Sequence, residues 1–255
     1  MNRYHRPRVS RRPQWWWGLL VVAAVLPAGC ARTTGASTLV VSAAASLAAP
    51  FGAITAAFED LHPDVDVALN LAGSTSLREQ ILGGAPVDVF ASADWETMDD
   101  VVGVVRPAGV PAVFARTDMV VAVPVANSAG VTGIGALADP ALFVGLCAVP
   151  VPCGVYARQV LSAAGVEPSI DTAEPDVRSL VDKLVSGELD VGLVYATDVV
   201  ATPGLTGIEV PPGTGVTVEY PIVSLDDGAI ASAFVAFVRS DVGQDILRAH
   251  GFDTP

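Results

Sequence analysis

The 255 residues predict an α/β fold of two lobes, each a mainly parallel sheet flanked by helices. Three observations carry this. From Thr38 onward, short β-branched runs alternate with amphipathic helical stretches, the pattern of successive βαβ units. The length exceeds that of a usual single core, so one large domain and two small lobes both fit it. The strand and helix signals after residue 220 follow a stretch that already holds a core of its own, and they are expected to return to the first lobe.

Leu39–Ser42 reads as a strand, and Leu47, Phe51, Ile54, Phe58 and Leu61 then recur at steps of four and three, giving one apolar helix face. Val65–Leu71 alternates as a strand. Ser74–Leu82 is a short helix closed by Gly83-Gly84, and Val87–Ala91 is a buried strand. These define a first lobe over residues 38–116. Asp118–Val125 is strongly β, and Val177, Leu180, Val181, Leu184 and Val185 lie at helical spacing, within a second lobe over residues 117–219. Tyr220–Leu225 is again strand-like, followed by helices over Gly228–Val238 and Asp241–His250, so residues 220–255 return to the first lobe. Crossings near Phe114–Asp118 and Val218–Ile222 would form a hinge, with a ligand crevice at the carboxyl ends of the strands.

The first 29 residues have a different character. Arg3, Arg6, Arg8, Arg11 and Arg12 precede the apolar stretch Trp15–Leu26, which ends in small residues before Cys30, the layout of an export signal. The alternative, an uncleaved anchor, asks for roughly 20 apolar residues, more than are present. Leu26-Pro-Ala-Gly-Cys30 resembles a bacterial lipobox, with Pro27 where leucine is usual. It implies a lipid on Cys30, a linker over residues 30–37 and a protein held at the outer face of the bacterial cell membrane. Arg11-Arg12 could form a twin-arginine signal, but the residues after it fit that pattern poorly, and the pair reads as ordinary leader charge.

Without residues 1–29 the chain keeps 9 basic and 27 acidic residues, a formal charge of −18. Such a surface excludes nucleic acid as a partner. It also opposes an anionic ligand at long range, so any anion site must work through local donors and helix ends. Cys147 and Cys153 remain either as a disulfide, which an oxidising compartment favours, or as two buried thiols.

Enzyme signatures are scarce. There is no G-x-S-x-G elbow, Walker loop, G-x-G-x-x-G or paired-cysteine metal site. His5 lies in the leader, while His62 and His250 read as surface residues, so a histidine base is wanting. No cofactor is expected. The recurring feature is instead a small or polar residue where a strand meets a helix. Ser46 follows the first strand and Ser74 the second, each at or near an N-cap, where a hydroxyl and unpaired backbone N–H groups attract anions. Capping alone would explain either serine singly. Val151-Pro-Cys-Gly154 and Glu174-Pro-Asp-Val177 form similar junctions in the second lobe, with Pro175 suited to a first helical position.

Ala44-Ala-Ser46-Leu47, Gly73-Ser-Thr-Ser-Leu77, Gly84-Ala-Pro-Val-Asp-Val-Phe-Ala-Ser-Ala-Asp94, Val151-Pro-Cys-Gly154, Asp176-Val-Arg178 and Val194-Tyr195 together resemble the extracytoplasmic molybdate-binding proteins of ABC importers, over Thr38–Phe252. The resemblance implies a periplasmic-binding-protein-like fold of type II with the ligand in the interlobe cleft. It also implies an oxyanion held by the hydroxyls of Ser46 and Ser74, the N–H groups of Cys153 and Val177, and the Tyr195 hydroxyl. These touch the oxyanion's oxygens and are not ligands to the metal itself. Cysteine stands at 153 where the family has alanine, which leaves the backbone donor in place. Without the resemblance Tyr195 would read as a core aromatic after a buried strand. Further implications are a monomer that delivers molybdate, and tungstate, to a membrane permease with its ATPase. Three readings compete: a sulfate or other small-anion receptor of the same architecture, a serine hydrolase built on Ser46 or Ser74, and a lipid-anchored adhesion or scaffold module with no small ligand.

Overall fold

The computed structural model describes residues 37–107 and 109–255. The export signal, Cys30 and its lipobox, and the linker through residue 36 lie outside the described residues. Among the described residues no helix is long and apolar enough to cross a membrane.

Strands β1 (Ser37–Ala44), β2 (Val65–Ala72) and β3 (Val89–Ala91) alternate with helices α1 (Ala48–Leu61), α2 (Ser74–Leu82) and α3 (Trp95–Val105). Strand β4 (Ala112–Pro124) is long. After it come β5 (Val144–Cys147), α4 (Pro152–Ala164), β6 (Thr172–Glu174), α5 (Val177–Ser186), β7 (Val191–Tyr195), α6 (Ala196–Ala201) and β8 (Leu205–Ile208). Strand β9 (Thr217–Ser224) leads into α7 (Ala229–Val238) and α8 (Asp241–Ala249).

The strands form one sheet in the order β2-β1-β3-β9-β4-β7-β5-β6, with β8 also on β4. Its two ends are parallel, as the βαβ pattern predicts: β1 pairs with β2 and β3, and β5 with β6 and β7. Its middle is antiparallel, which the periodicity does not foretell. There β9 pairs with β3 and β4, and β4 with β7 and β8. The cause is connectivity. The segments expected to cross lie within β4 and β9, which are paired from Ala112 with Ile222 to Asp118 with Thr217 and run in opposite directions.

Helix α1 buries Phe51, Ile54 and Phe58 completely. Phe58 meets Phe234 of α7 edge-on at 5.1 Å between ring centroids, and Phe51 meets Phe114 of β4 at 5.8 Å. The C-terminal helices thus complete the core begun by β1 and α1. Two apolar stripes end earlier than predicted: Leu61, the last residue of α1, is exposed, and so is Val185 near the end of α5. The sequence reading passes over α3, whose start is fixed by Asp94 accepting the Thr97 N–H at 3.0 Å.

The consequence for function is positional. The set β1, β2, β3 and the set β5, β6, β7 run in opposite directions, because three antiparallel pairings separate β3 from β7, and the carboxyl ends of β1, β2, β5, β6 and β7 each lead into a helical segment.

Candidate functional site

At these strand ends the helices begin in ways that leave backbone donors without intrahelical partners. Ser46 sits in the 3-10 turn Ala45–Leu47 ahead of α1, and Ser74 is the first residue of α2. The predicted capping role is not what they perform: Ala44 and Gly73 occupy the N-cap positions, and neither helix start has a side-chain cap. Both hydroxyls are therefore engaged elsewhere. Pro152 opens α4, where its missing N–H costs nothing. Pro175, expected at a first helical position, instead precedes the N-cap Asp176, whose carboxylate accepts the Ser179 N–H at 2.8 Å. Tyr195 ends β7 and starts α6.

Ser46, Ser74, Cys153, Val177 and Tyr195 all line a single cavity of about 10 Å³. That lies below the ~300–1,000 Å³ typical of pockets for drug-sized ligands, so the occupant is a group of few heavy atoms. Neither lysine, arginine nor histidine lines it. The carboxylate residue there, Asp176, is turned to its own helix. Among the described residues, no cluster of histidine, cysteine, aspartate and glutamate could hold a metal ion.

Each donor has a physical reason to face the cavity. The N–H groups of Cys153 and Val177 stand in the first turns of α4 and α5, where no intrahelical acceptor exists. The Ser74 oxygen accepts the Ala93 N–H at 3.0 Å, and an amide can only donate, so the serine's own proton is free for the cavity. Burial pushes the Tyr195 ionisation well above its ordinary value, with the charge of Asp198 adding to the effect, so its hydroxyl keeps its proton. The dipoles of α2, α4 and α5 place their positive ends on the same point.

Cys147, at the end of β5, and Cys153 form a disulfide with Cα atoms 5.7 Å apart. It ties the second residue of α4 to the strand that supports it. Close packing at this corner needs Gly154: a Cβ there would stand 2.2 Å from the Ala148 carbonyl oxygen. The two halves of the cavity wall also touch directly. The Thr75 hydroxyl donates to the Pro150 carbonyl at 3.4 Å, and a Cβ on Gly73 would lie 2.8 Å from the Pro175 carbonyl oxygen.

Three participants escape the sequence reading. Asp198, half-buried on α6, accepts the Tyr195 N–H at 3.1 Å. Tyr220, fully buried on β9, is 3.1 Å from the Ser46 hydroxyl. Gly73 belongs to a quoted motif but carries no assigned role there. A tyrosine in an apolar strand was the one available signal, since a buried phenol needs a polar partner.

Burial raises the Asp198 pKa to about 7, against the pull of the Tyr195 N–H and of Arg178. Its unfolded value is near 3.8, so between these limits the folded chain holds the extra proton. Stability contributed by this group is then lost as pH rises through that window. In thermal melts of Asp198→Asn beside the unaltered protein, the difference should move in the variant's favour between pH 4 and 7.5. A difference independent of pH contradicts the assignment.

Residues 39–253 match the family model described as bacterial extracellular solute-binding protein. The molybdate-binding protein ModA of Mycobacterium tuberculosis is 38% identical over 228 residues, which cover 88% of this chain and 87% of that one. The Escherichia coli protein of the same name is 30% identical, over 84% of this chain and 88% of the other. Among solved structures, the periplasmic molybdate-binding protein of Azotobacter vinelandii superposes with a TM-score of 0.69 at 19% identity, covering 85% of this chain and 99% of that one, which shows the shared fold. The chain belongs to the bacterial extracellular solute-binding proteins, in company with relatives named as molybdate-binding proteins.

Proposed function

We propose that this protein captures molybdate, and tungstate of the same shape, in the cavity where its helices begin, and delivers it to the permease and ATPase of an ABC importer. The observation that carries the reading is the convergence of Ser46, Ser74, Cys153, Val177 and Tyr195 on one small cavity lined by no cationic side chain. Molybdate at neutral pH is a fully deprotonated dianion and only accepts hydrogen bonds, so neutral hydroxyl and amide donors satisfy it. Hydrogen phosphate carries an O–H that needs an acceptor, and a donor-only wall leaves that proton unpaired at a cost of ~1–3 kcal/mol. The names of the relatives point the same way.

Residues 38–116 with 220–255 form one lobe and 117–219 the other in this reading, with the paired β4 and β9 as the hinge. Ligand stabilises the closed form because donors from both lobes must meet it. The role is binding and not catalysis: neither serine has a histidine base to activate it. The chain acts as a monomer outside the cytoplasm, its leader removed and a lipid on Cys30 holding it to the outer face of the membrane.

Calorimetric titration of the purified protein with molybdate, tungstate, sulfate and phosphate tests the reading. Micromolar or tighter binding of the first two, weaker binding of sulfate and no heat with phosphate are expected. Absence of heat with molybdate overturns it, and a preference for sulfate makes the protein a sulfate receptor of the same design.

A further inference from the structure

The Ser46 and Tyr220 hydroxyls are 3.1 Å apart, and geometry alone lets either be the donor. The direction matters. A serine that donates to Tyr220 turns its lone pairs to the cavity and becomes an acceptor there. A serine that receives from Tyr220 keeps its own proton for the ligand.

Donor counting decides between them. Tyr220 is fully buried and does not line the cavity. Its ring is clamped edge-on by Phe252 at 5.4 Å, Tyr195 at 6.0 Å and Phe114 at 6.4 Å between centroids. Among the described residues Ser46 is the polar partner of its hydroxyl. If Ser46 donated, the buried phenol proton would have no hydrogen-bond acceptor among the described residues, while the serine would offer lone pairs to an anion. If Tyr220 donates, every proton finds an acceptor once a dianion is present, and each bond in the chain polarises the next. Burial also lifts the Tyr220 ionisation well above its ordinary value, which keeps the phenol proton in place at neutral pH. At Ser74 the same service is performed by the Ala93 N–H, which has no choice of direction.

We propose that Tyr220 is a positioning residue that fixes Ser46 as a donor to the cavity and thereby excludes oxyanions that carry a proton. The proposal deepens the oxyanion reading above and rests on it. Tyr220→Phe removes one oxygen and leaves the packed ring. Ser46 is then free to rotate, donating to a deprotonated anion or accepting from a protonated one.

The test is titration of the unaltered protein and Tyr220→Phe with molybdate and, at pH 8, with hydrogen phosphate. Molybdate affinity should fall by about 5- to 10-fold, the loss of one hydrogen bond in a charged network, while hydrogen phosphate affinity holds or rises. The ratio between the two therefore drops by about fivefold or more. Equal weakening of both anions, the signature of a merely structural role, overturns the proposal, as does no change in either. In a Ser46→Ala background Tyr220→Phe should leave the ratio where it stands, and a further drop there contradicts the route through Ser46. Failure of the unaltered protein to bind molybdate is a distinct result, which removes the parent reading and this one with it. A measurement free of any variant is proton NMR of the unaltered molybdate complex. A slowly exchanging Tyr220 hydroxyl proton with a cross-peak to the Ser46 β-protons is expected, and a Tyr220 hydroxyl exchanging as fast as free tyrosine overturns the assignment.

Discussion

Gly73→Ala should weaken molybdate binding by about 100-fold or more while leaving the melting temperature nearly unchanged. The backbone at Gly73 has φ −58° and ψ 138°, a conformation alanine adopts freely, so the chain itself bears no strain. Alanine in place of glycine at an N-cap is a modest loss to the helix. The conflict is across the cleft: the new Cβ would stand 2.8 Å from the Pro175 carbonyl oxygen and 3.3 Å from the Asp176 Cβ. Both obstacles belong to the segment that presents the Val177 N–H. Relief requires the two walls to part by roughly half an ångström, and hydrogen bonds with a working range of about 2.7–3.2 Å then fail on one side. Losing two bonds to a charged acceptor, at ~1.5–3 kcal/mol each, gives the stated factor. Calorimetry paired with thermal melts checks it. Unchanged affinity would mean that the walls need not meet for binding.

The second large effect is expected at the serines. Ser46→Ala and Ser74→Ala should each cost ~1–3 kcal/mol of binding, about 5- to 150-fold, because each removes a neutral donor from a charged acceptor. Both should also lose stability. Ser74→Ala strips the acceptor from the Ala93 N–H at a fully enclosed position, so its melting temperature falls as well as its affinity. Ser46→Ala likewise leaves the fully buried Tyr220 phenol without its partner, so its melting temperature falls too. Wild-type affinity in either variant would remove that hydroxyl from the site.

How much of this was legible depends on the range over which the information acts. The βαβ units at the sheet's ends follow from periodicity alone, since alternation and 3.6-residue spacing are local. The antiparallel β4–β9 centre does not, because strand direction is set by where the chain crosses, and Phe114 and Val218 carry no mark of it. Ser46 and Ser74 were readable as hydroxyls at strand-to-helix junctions. Cys153 and Val177 entered through resemblance to a family, because a backbone amide leaves no trace in the identity of the residue that bears it. The partners that orient the serines were out of reach in different ways: Ala93 acts through its backbone, and Tyr220 lies 174 residues from Ser46 along the chain. At α5 the misplacement of the helix start came from weighing Pro175 above Asp176. The aspartate side chain can hold an N–H three residues on, whereas proline only tolerates the turn.

In the proposed function, uncharged donors gathered from several helix starts hold a doubly negative tetrahedron inside an acidic protein. Anomalous scattering at the molybdenum edge, from crystals of the molybdate complex, tests it most directly. One strong peak is expected in the cavity, with the molybdate oxygens within hydrogen-bond reach of the Ser46, Ser74 and Tyr195 hydroxyls and the Cys153 and Val177 N–H groups. Molybdenum bound elsewhere, or held in place by lysine or arginine side chains, would contradict it.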